Sequence, residues 1–183
     1  MHCHGGGSNS PMTGENIILV GNHNVGKSVI FGWLTGTYVT VANYPGTTVE
    51  ITRGIARRDG HRTVIDTPGI SSLHPISEDE RITRDVVLTE SPHAILQIAD
   101  AKNLRRALLI TTQIAELNLP LVLVLNMMDE AAERRIHINA EKLAVMVESP
   151  MVRDTLSFRA ERREASRCPI EKTRFLGKVR ASK

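Results

Sequence analysis

Aromatic side chains are scarce in this chain, at 3% of 183 residues. A core built on ring stacking is thereby excluded. The 41% of residues that are hydrophobic must pack as aliphatic groups, which suits a mostly parallel sheet covered by helices. Cysteine is nearly absent: Cys3 and Cys168 lie at opposite ends, so a disulfide framework is not expected and a cytosolic setting fits. No run of eighteen apolar residues occurs, so no segment is long enough to cross a bilayer as a helix, and the amino terminus lacks the apolar stretch of a secretory signal. A cationic body is missing too. Residues 1–150 carry 13 Lys+Arg against 16 Asp+Glu, whereas 151–183 carry 10 against 4. The basic balance therefore belongs to the last segment, and no nucleic-acid partner is expected of the body.

What is present is a phosphate-binding pattern. Residues 21–28 read Gly21-Asn22-His23-Asn24-Val25-Gly26-Lys27-Ser28, or G-x-x-x-x-G-K-S. The two glycines let the backbone curl until its N–H groups point at phosphate oxygens. Lys27 adds a charge near the β- and γ-phosphates, and the Ser28 hydroxyl is placed to ligate Mg²⁺. The apolar run Ile17–Val20 before it suits a buried strand, and Val29, Ile30, Phe31, Trp33 and Leu34 follow at helical spacing. A glycine-rich turn that binds nothing would not need this strand-loop-helix context.

Three further motifs follow in order. Asp66-Thr67-Pro68-Gly69 is D-x-x-G after the strand-like Arg62–Ile65. Asp66 can hold Mg²⁺, and Gly69 can swing a backbone N–H towards a γ-phosphate. Alone, it would read as an Asp-x-Pro-Gly turn. Asn126-Met127-Met128-Asp129 is N-x-x-D after the apolar run Leu121–Leu125. Its aspartate can accept from the guanine N1–H and exocyclic amine, donors that adenine lacks. Alone, Asp129 could be a helix N-cap. Between phosphate loop and D-x-x-G stands the pair Thr47-Thr48, one of which can close over Mg²⁺ and the γ-phosphate. The ordered set points to GTP and GDP as ligands, not to adenine nucleotides.

Coarse periodicity places strands at 16–20, 49–57, 61–66, 94–98 and 121–126, and helices at 27–35, 78–90, 104–117, near 129 and at 139–147. Leu104, Leu108 and Leu109 open the third helix, and the last carries Leu143, Val145 and Met146. Ser77 and Glu80 fit a capping box. Residues 36–47 read as loop. Residues 1–13 are Gly- and Ser-rich and read as disordered, with no metal expected at His2-Cys3-His4. The expected division is a G domain at 14–150 and a basic tail at 151–183 with no clear strand.

The motifs match a Ras-like G domain. Together with Asn43-Tyr44-Pro45-Gly46-Thr47-Thr48-Val49-Glu50 and Ala99-Asp100-Ala101-Lys102-Asn103-Leu104, they resemble the cytosolic G domain of the ferrous iron transport protein B family over roughly 15–148. The resemblance implies a three-layer α/β P-loop GTPase fold, mostly parallel with one antiparallel edge strand. It also implies a membrane region carrying Fe²⁺, absent from this chain, so that the chain would sit in the cytoplasm or at the cytosolic face of the membrane.

Carried over by position, the phosphate contacts span Gly21 to Val29, with Gly46, Thr47 and Thr48 in the first switch. Asp66, Thr67, Pro68 and Gly69 form the second switch, and Asn126, Met127 and Asp129 the guanine pocket. Mg²⁺ falls to Ser28, Thr48 and Asp66. Asn24 matches the asparagine that helps hold K⁺ in potassium-stimulated members, where the ion neutralises charge in the transition state. Asn24, Lys27, Thr48 and Gly69 carry the implied catalysis.

Two departures stand out. Ile70 follows the Asp-Thr-Pro-Gly, so the water-orienting glutamine of Ras-like proteins is missing, a trait of this slow family. No Ser-Ala guanine loop follows a sixth strand near 150–157; a truncated or rearranged reading frame would account for that. The expected activity is slow, Mg²⁺-dependent GTP hydrolysis. The alternatives are a guanine-nucleotide switch or remnant that hydrolyses nothing, and an RNA-associated assembly GTPase using the basic tail.

Overall fold

The apolar runs and amphipathic segments fold, in a computed structural model, into one seven-stranded sheet ordered β2-β3-β4-β1-β5-β6-β7. The structure describes residues 16–58, 61–147 and 151–153. The expectations for 1–13 and for most of the basic tail lie outside those residues. β1 (Asn16–Gly21) sits at the centre, parallel to β4 (Thr63–Asp66) on one side and to β5 (Ala94–Asp100) on the other. β6 (Leu121–Asn126) continues the parallel set beyond β5. β3 (Glu50–Ala56) is the expected strand of opposite direction, antiparallel to β4.

Strand alternation divides the core between two faces. Leu19, Val64, Leu96 and Ile98 point to the face covered by α1 (Lys27–Leu34), where they meet Ile30 and Phe31. Ile18, Val20, Ile65 and Ile95 point to the other face, under α2 (Glu78–Thr89) and α3 (Leu104–Glu116), where they meet Ile82, Val86, Ile110 and Ile114. Each such side chain contributes about 1.5–3 kcal/mol on burial. The helices thus fix the sheet, and the sheet brings the ends of β1, β4, β5 and β6 to one edge. There the registers align Leu19 with Asp66, Gly21 with Ile98 and Asp100 with Asn126. Ligand sites of open α/β sheets lie at this carboxyl edge.

The structure corrects two expectations. Residues 36–43 are not loop: β2 (Thr35–Asn43) pairs antiparallel with β3, from Val39 opposite Gly54 to Asn43 opposite Glu50. β3 is therefore not the edge, since β2 lies outside it. β-branched residues favour the extended form here, yet Val39 and Val41 stay about half exposed. The strand exists through backbone pairing with the next strand across the 44–49 turn, which a local apolar pattern does not signal. Second, the segment after Pro150 holds a strand, β7 (Met151–Arg153), parallel to Leu123–Leu125 of β6. The helices expected at 104–117 and 139–147 form, and the structure adds their facing: the buried stripe of α3 is Ala107, Ile110, Thr111 and Ile114, while Leu109 faces solvent. α5 (Ala140–Val147) buries Leu143 but leaves Val145 and Met146 exposed. The capping box forms as expected. The Ser77 hydroxyl accepts from the Glu80 N–H at 3.3 Å, and the Glu80 carboxylate accepts from the Ser77 N–H at 3.4 Å.

Candidate functional site

β1 ends at Gly21, where a Cβ would stand 2.3 Å from the carbonyl oxygen of Ile98. Only glycine passes the neighbouring strand there. The chain then turns through Asn24 (φ 59°) and Gly26 (φ 90°), and α1 begins at Lys27 without a side-chain cap. The first N–H groups of that helix therefore lack side-chain acceptors and form the positive end of its dipole. Lys27 folds back across the loop: its Nζ donates to the carbonyls of Asn22 at 3.1 Å and Gly21 at 3.4 Å. Burial pulls its pKa below the ordinary 10.5, opposed by the charge of Asp66.

The N-x-x-D segment braces this loop from the side. The Asn126 amide donates to the Val25 carbonyl at 2.9 Å, and a Cβ on Gly26 would come within 2.5 Å of Asn126 Nδ2. The D-x-x-G segment braces it from the front. The Ile70 N–H donates to the Gly21 carbonyl at 3.0 Å, and the Asn22 amide returns a bond to the Ile70 carbonyl at 2.9 Å. A Cβ on Gly69 would lie 2.7 Å from the His23 ring, so these two loops touch. Ile70 itself is fully buried in the core beside Ile65 and Ile82. It acts as a wedge anchoring the D-x-x-G segment, with its side chain turned into the core.

Asp66 and Ser28 meet at the mouth. The Ser28 hydroxyl donates to Asp66 Oδ2 at 2.9 Å, while Oδ1 is buried with no partner among the described residues. Burial raises the Asp66 pKa above its ordinary 3.8, against the Ser28 hydrogen bond and the Lys27 charge. An orphaned carboxylate oxygen beside a hydroxyl is a donor set of hard oxygens, which fits Mg²⁺. Thr67, next in line, is buried, and its hydroxyl donates to the Leu19 carbonyl at 2.7 Å, tying the motif to β1.

The first switch is built differently. The Tyr44 N–H donates to the Val49 carbonyl at 2.8 Å, and Gly46 takes φ 77° to close the turn. The Thr47 hydroxyl donates to the Tyr44 carbonyl at 2.9 Å and is used up in the turn. Thr48 is exposed, and its hydroxyl bonds no described residue. Of the threonine pair, Thr48 is thus the one whose hydroxyl is uncommitted among the described residues. Asn24, Val29 and Asp129 are also exposed, and the structure brings none of their side chains into a bond with the rest of the site.

Three residues take bracing parts that the sequence did not show. Asn22 is a brace as well as a loop residue. Gln113 of α3 holds the second switch by accepting from the Leu73 N–H at 2.7 Å. Glu80 accepts from the N–H groups of Ile76, Ser71 and Ser77, and those bonds hold its carboxyl below the ordinary 4.5. Only the capping-box spacing of Glu80 could have pointed to it. A groove of about 420 Å³ lies apart from the phosphate loop, floored by Leu104, Ile138 and Leu143.

The sheet order and the four clustered loops define a Ras-like P-loop G-domain fold. The domain model described as ferrous iron transport protein B matches residues 15–164, so the chain belongs to that family. It is 40% identical over 137 residues to the Fe(2+) transporter FeoB of Staphylococcus aureus (strain COL), covering 75% of this chain and 20% of that protein. Its similarity to the FeoB of Salmonella typhimurium is 35% over 159 residues, again 20% of that protein. The chain thus spans about a fifth of the length of these relatives. Among solved structures, a GDP-bound point variant of S. thermophilus NFeoB superposes with TM-score 0.73 and 37% identity, over 79% of this chain and 56% of that one. The G domain of the T. maritima FeoB iron transporter gives 0.69 and 34%, over 76% and 86%.

Proposed function

We propose that this chain is the guanine-nucleotide-binding and GTP-hydrolysing part of a ferrous iron transporter, working at the cytosolic face of the membrane on a permease region outside this sequence. The observation that carries the reading is the Ser28–Asp66 contact at 2.9 Å, with Asp66 Oδ1 orphaned, beside a lysine folded over a helix N-terminus. Such a mouth is complementary to a triphosphate with its metal.

In the reaction, water attacks the γ-phosphorus and the bond to the β–γ bridging oxygen breaks, giving GDP and phosphate. The loop amides from Asn22 to Val29 and the Lys27 ammonium hold the phosphates and meet the charge that develops on them. Ser28, Thr48 and Asp66 would hold Mg²⁺, which supplies further neutralisation of the phosphate oxygens. Gly69, freed from His23, offers its N–H to the γ-phosphate, and Thr48 closes from the other side. Asp129 reads the guanine edge. Ile70 orients no water, so the positioning of the nucleophile falls to backbone groups of the switches, and turnover is slow. Asn24, exposed on the loop, would contribute its side-chain oxygen to a K⁺ beside the phosphates.

The test is hydrolysis at saturating GTP in potassium and in sodium buffer. We expect faster turnover in potassium and a flat response in Asn24→Ala. Equal rates in both salts, or a potassium response surviving in the variant, would remove Asn24 from the mechanism. A second reading, a switch that binds but does not hydrolyse, is favoured by the buried wedge at Ile70. A single-turnover assay that yields no phosphate would establish it.

A further inference from the structure

The N-x-x-D segment has a support that no motif describes. Lys102 lies in a 3-10 turn, Ala101–Asn103, just after β5, whose last residue Asp100 stands opposite Asn126 in the sheet. The Asp100 carboxylate accepts from the Lys102 N–H at 2.9 Å and from the Asn103 amide at 2.8 Å, which fixes the turn. The Lys102 side chain then runs back over the neighbouring loop. Its Nζ donates to Glu130 Oε2 at 2.5 Å, approaches the Met127 sulfur at 3.4 Å, and lies 3.8 Å from Asp100 Oδ2. The side chain is only 11% exposed.

Those contacts straddle Asp129. Met127 precedes it and holds a left-handed backbone, φ 59°, which L side chains adopt only under constraint. Glu130 follows it in the first turn of α4 (Met128–Glu133), a helix that starts without a side-chain cap. Asn126 is pinned by its own bond to Val25, but Asp129 makes no bond of its own among the described residues. The residues on either side of it are the ones that Lys102 grips. The ammonium also balances Asp100 and Glu130, two carboxylates that would otherwise repel an anionic ligand and Asp129 alike.

We infer that Lys102 is the positioning residue of the base-reading loop, acting through Met127 and Glu130 to aim Asp129 and so to set guanine specificity. The inference rests on the guanine-nucleotide reading above. It is tested by titrating the full chain with GDP and with IDP. IDP lacks only the exocyclic 2-amino group, so the ratio of the two affinities reports the aim of Asp129 and not the grip on the phosphates. We expect the wild type to prefer GDP. In Lys102→Met the preference should shrink by about three- to tenfold, the size of a weakened charged hydrogen bond. Lys102→Arg should retain most of it. Glu130→Gln, which keeps the packing, should lose part of it and serves if Lys102→Met does not fold. Equal affinity for GDP and IDP in the wild type would overturn the guanine reading and this inference together. A wild-type preference that survives intact in Lys102→Met, or in Glu130→Gln where Lys102→Met does not fold, would overturn the role of Lys102 alone. So would parallel losses for both ligands, which would mark the lysine as merely structural.

Discussion

Two loops meet at the same edge of the sheet and are held in opposite ways. Residues 21–28 are braced by three neighbours: the β5 backbone at Ile98, the Asn126 amide, and the Ile70 backbone with Gly69 against His23. Residues 44–49 bond chiefly to themselves, through the Tyr44–Val49 and Tyr44–Thr47 contacts, and leave Thr48 free. The first loop is preorganised, so holding phosphates there requires little further ordering. On the proposed reading, the second would close over its ligand and make its contacts only when a γ-phosphate is present. On that reading, ground-state grip and transition-state chemistry fall to different loops.

Breaking the braced loop should have the largest effect. Lys27→Ala removes the ammonium aimed at the β- and γ-phosphates, worth about 3–4 kcal/mol when several charge-assisted bonds are lost together. Calorimetry should show GTP and GDP affinity lowered by at least a hundredfold, with the far-UV spectrum unchanged. Unchanged affinity would undo the comparison at its root.

Thr48→Ala acts on the free loop and should separate the two roles. Single-turnover hydrolysis should fall by about tenfold, the scale of one lost transition-state contact of about 1.4 kcal/mol. GDP affinity should stay within about twofold. A parallel loss of GDP affinity would mean that the first switch also grips the ground state.

The smallest effect sharpens the electrostatics of the Ser28–Asp66 mouth. Asp66 has a pKa raised by burial, so the folded state keeps a proton that the unfolded chain has released. Its contribution to stability is fully present below 3.8 and is lost as pH rises through the folded value. The slope cannot exceed about 1.4 kcal/mol per pH unit for one proton. Denaturant titrations of the nucleotide-free protein across that window should show the fall, and Asp66→Asn should abolish it. Mg²⁺ with nucleotide should shrink it as well, because a cation at Asp66 favours the charged carboxylate.

The site was legible in the sequence wherever a chemical requirement fixes residue type and spacing. Gly21, Gly26, Lys27 and Ser28 are read without coordinates because a phosphate cradle accepts few substitutes. Asp66 and Asn126 were readable because each follows a strand-like segment, Arg62–Ile65 in one case and the apolar run Leu121–Leu125 in the other. Ser77 and Glu80 were readable for the same kind of local reason, a reciprocal cap within four residues. β2 was not, because its hydrogen bonds go to β3 and its side chains form no apolar stripe. The facing of α3 and α5 was not either. Several helical phases bury some leucine, and the sheet beneath chooses Ile110 and Ile114 over Leu109, and Leu143 over Met146.

By itself, then, the sequence determined the glycine-loop motif between β1 and α1, the order of the motifs and the alternation of strands and helices, since each depends on residues near one another in the chain. The tertiary structure alone decided which groups brace the loop and which remain free. Asn126 reaches Val25 across a hundred residues, Ile70 closes onto Gly21, and Lys102 clamps the segment around Asp129. These pairings come from strand register at the carboxyl edge of the sheet. Register is set by the summed burial of both faces, a property of the whole core that no local stretch of sequence contains.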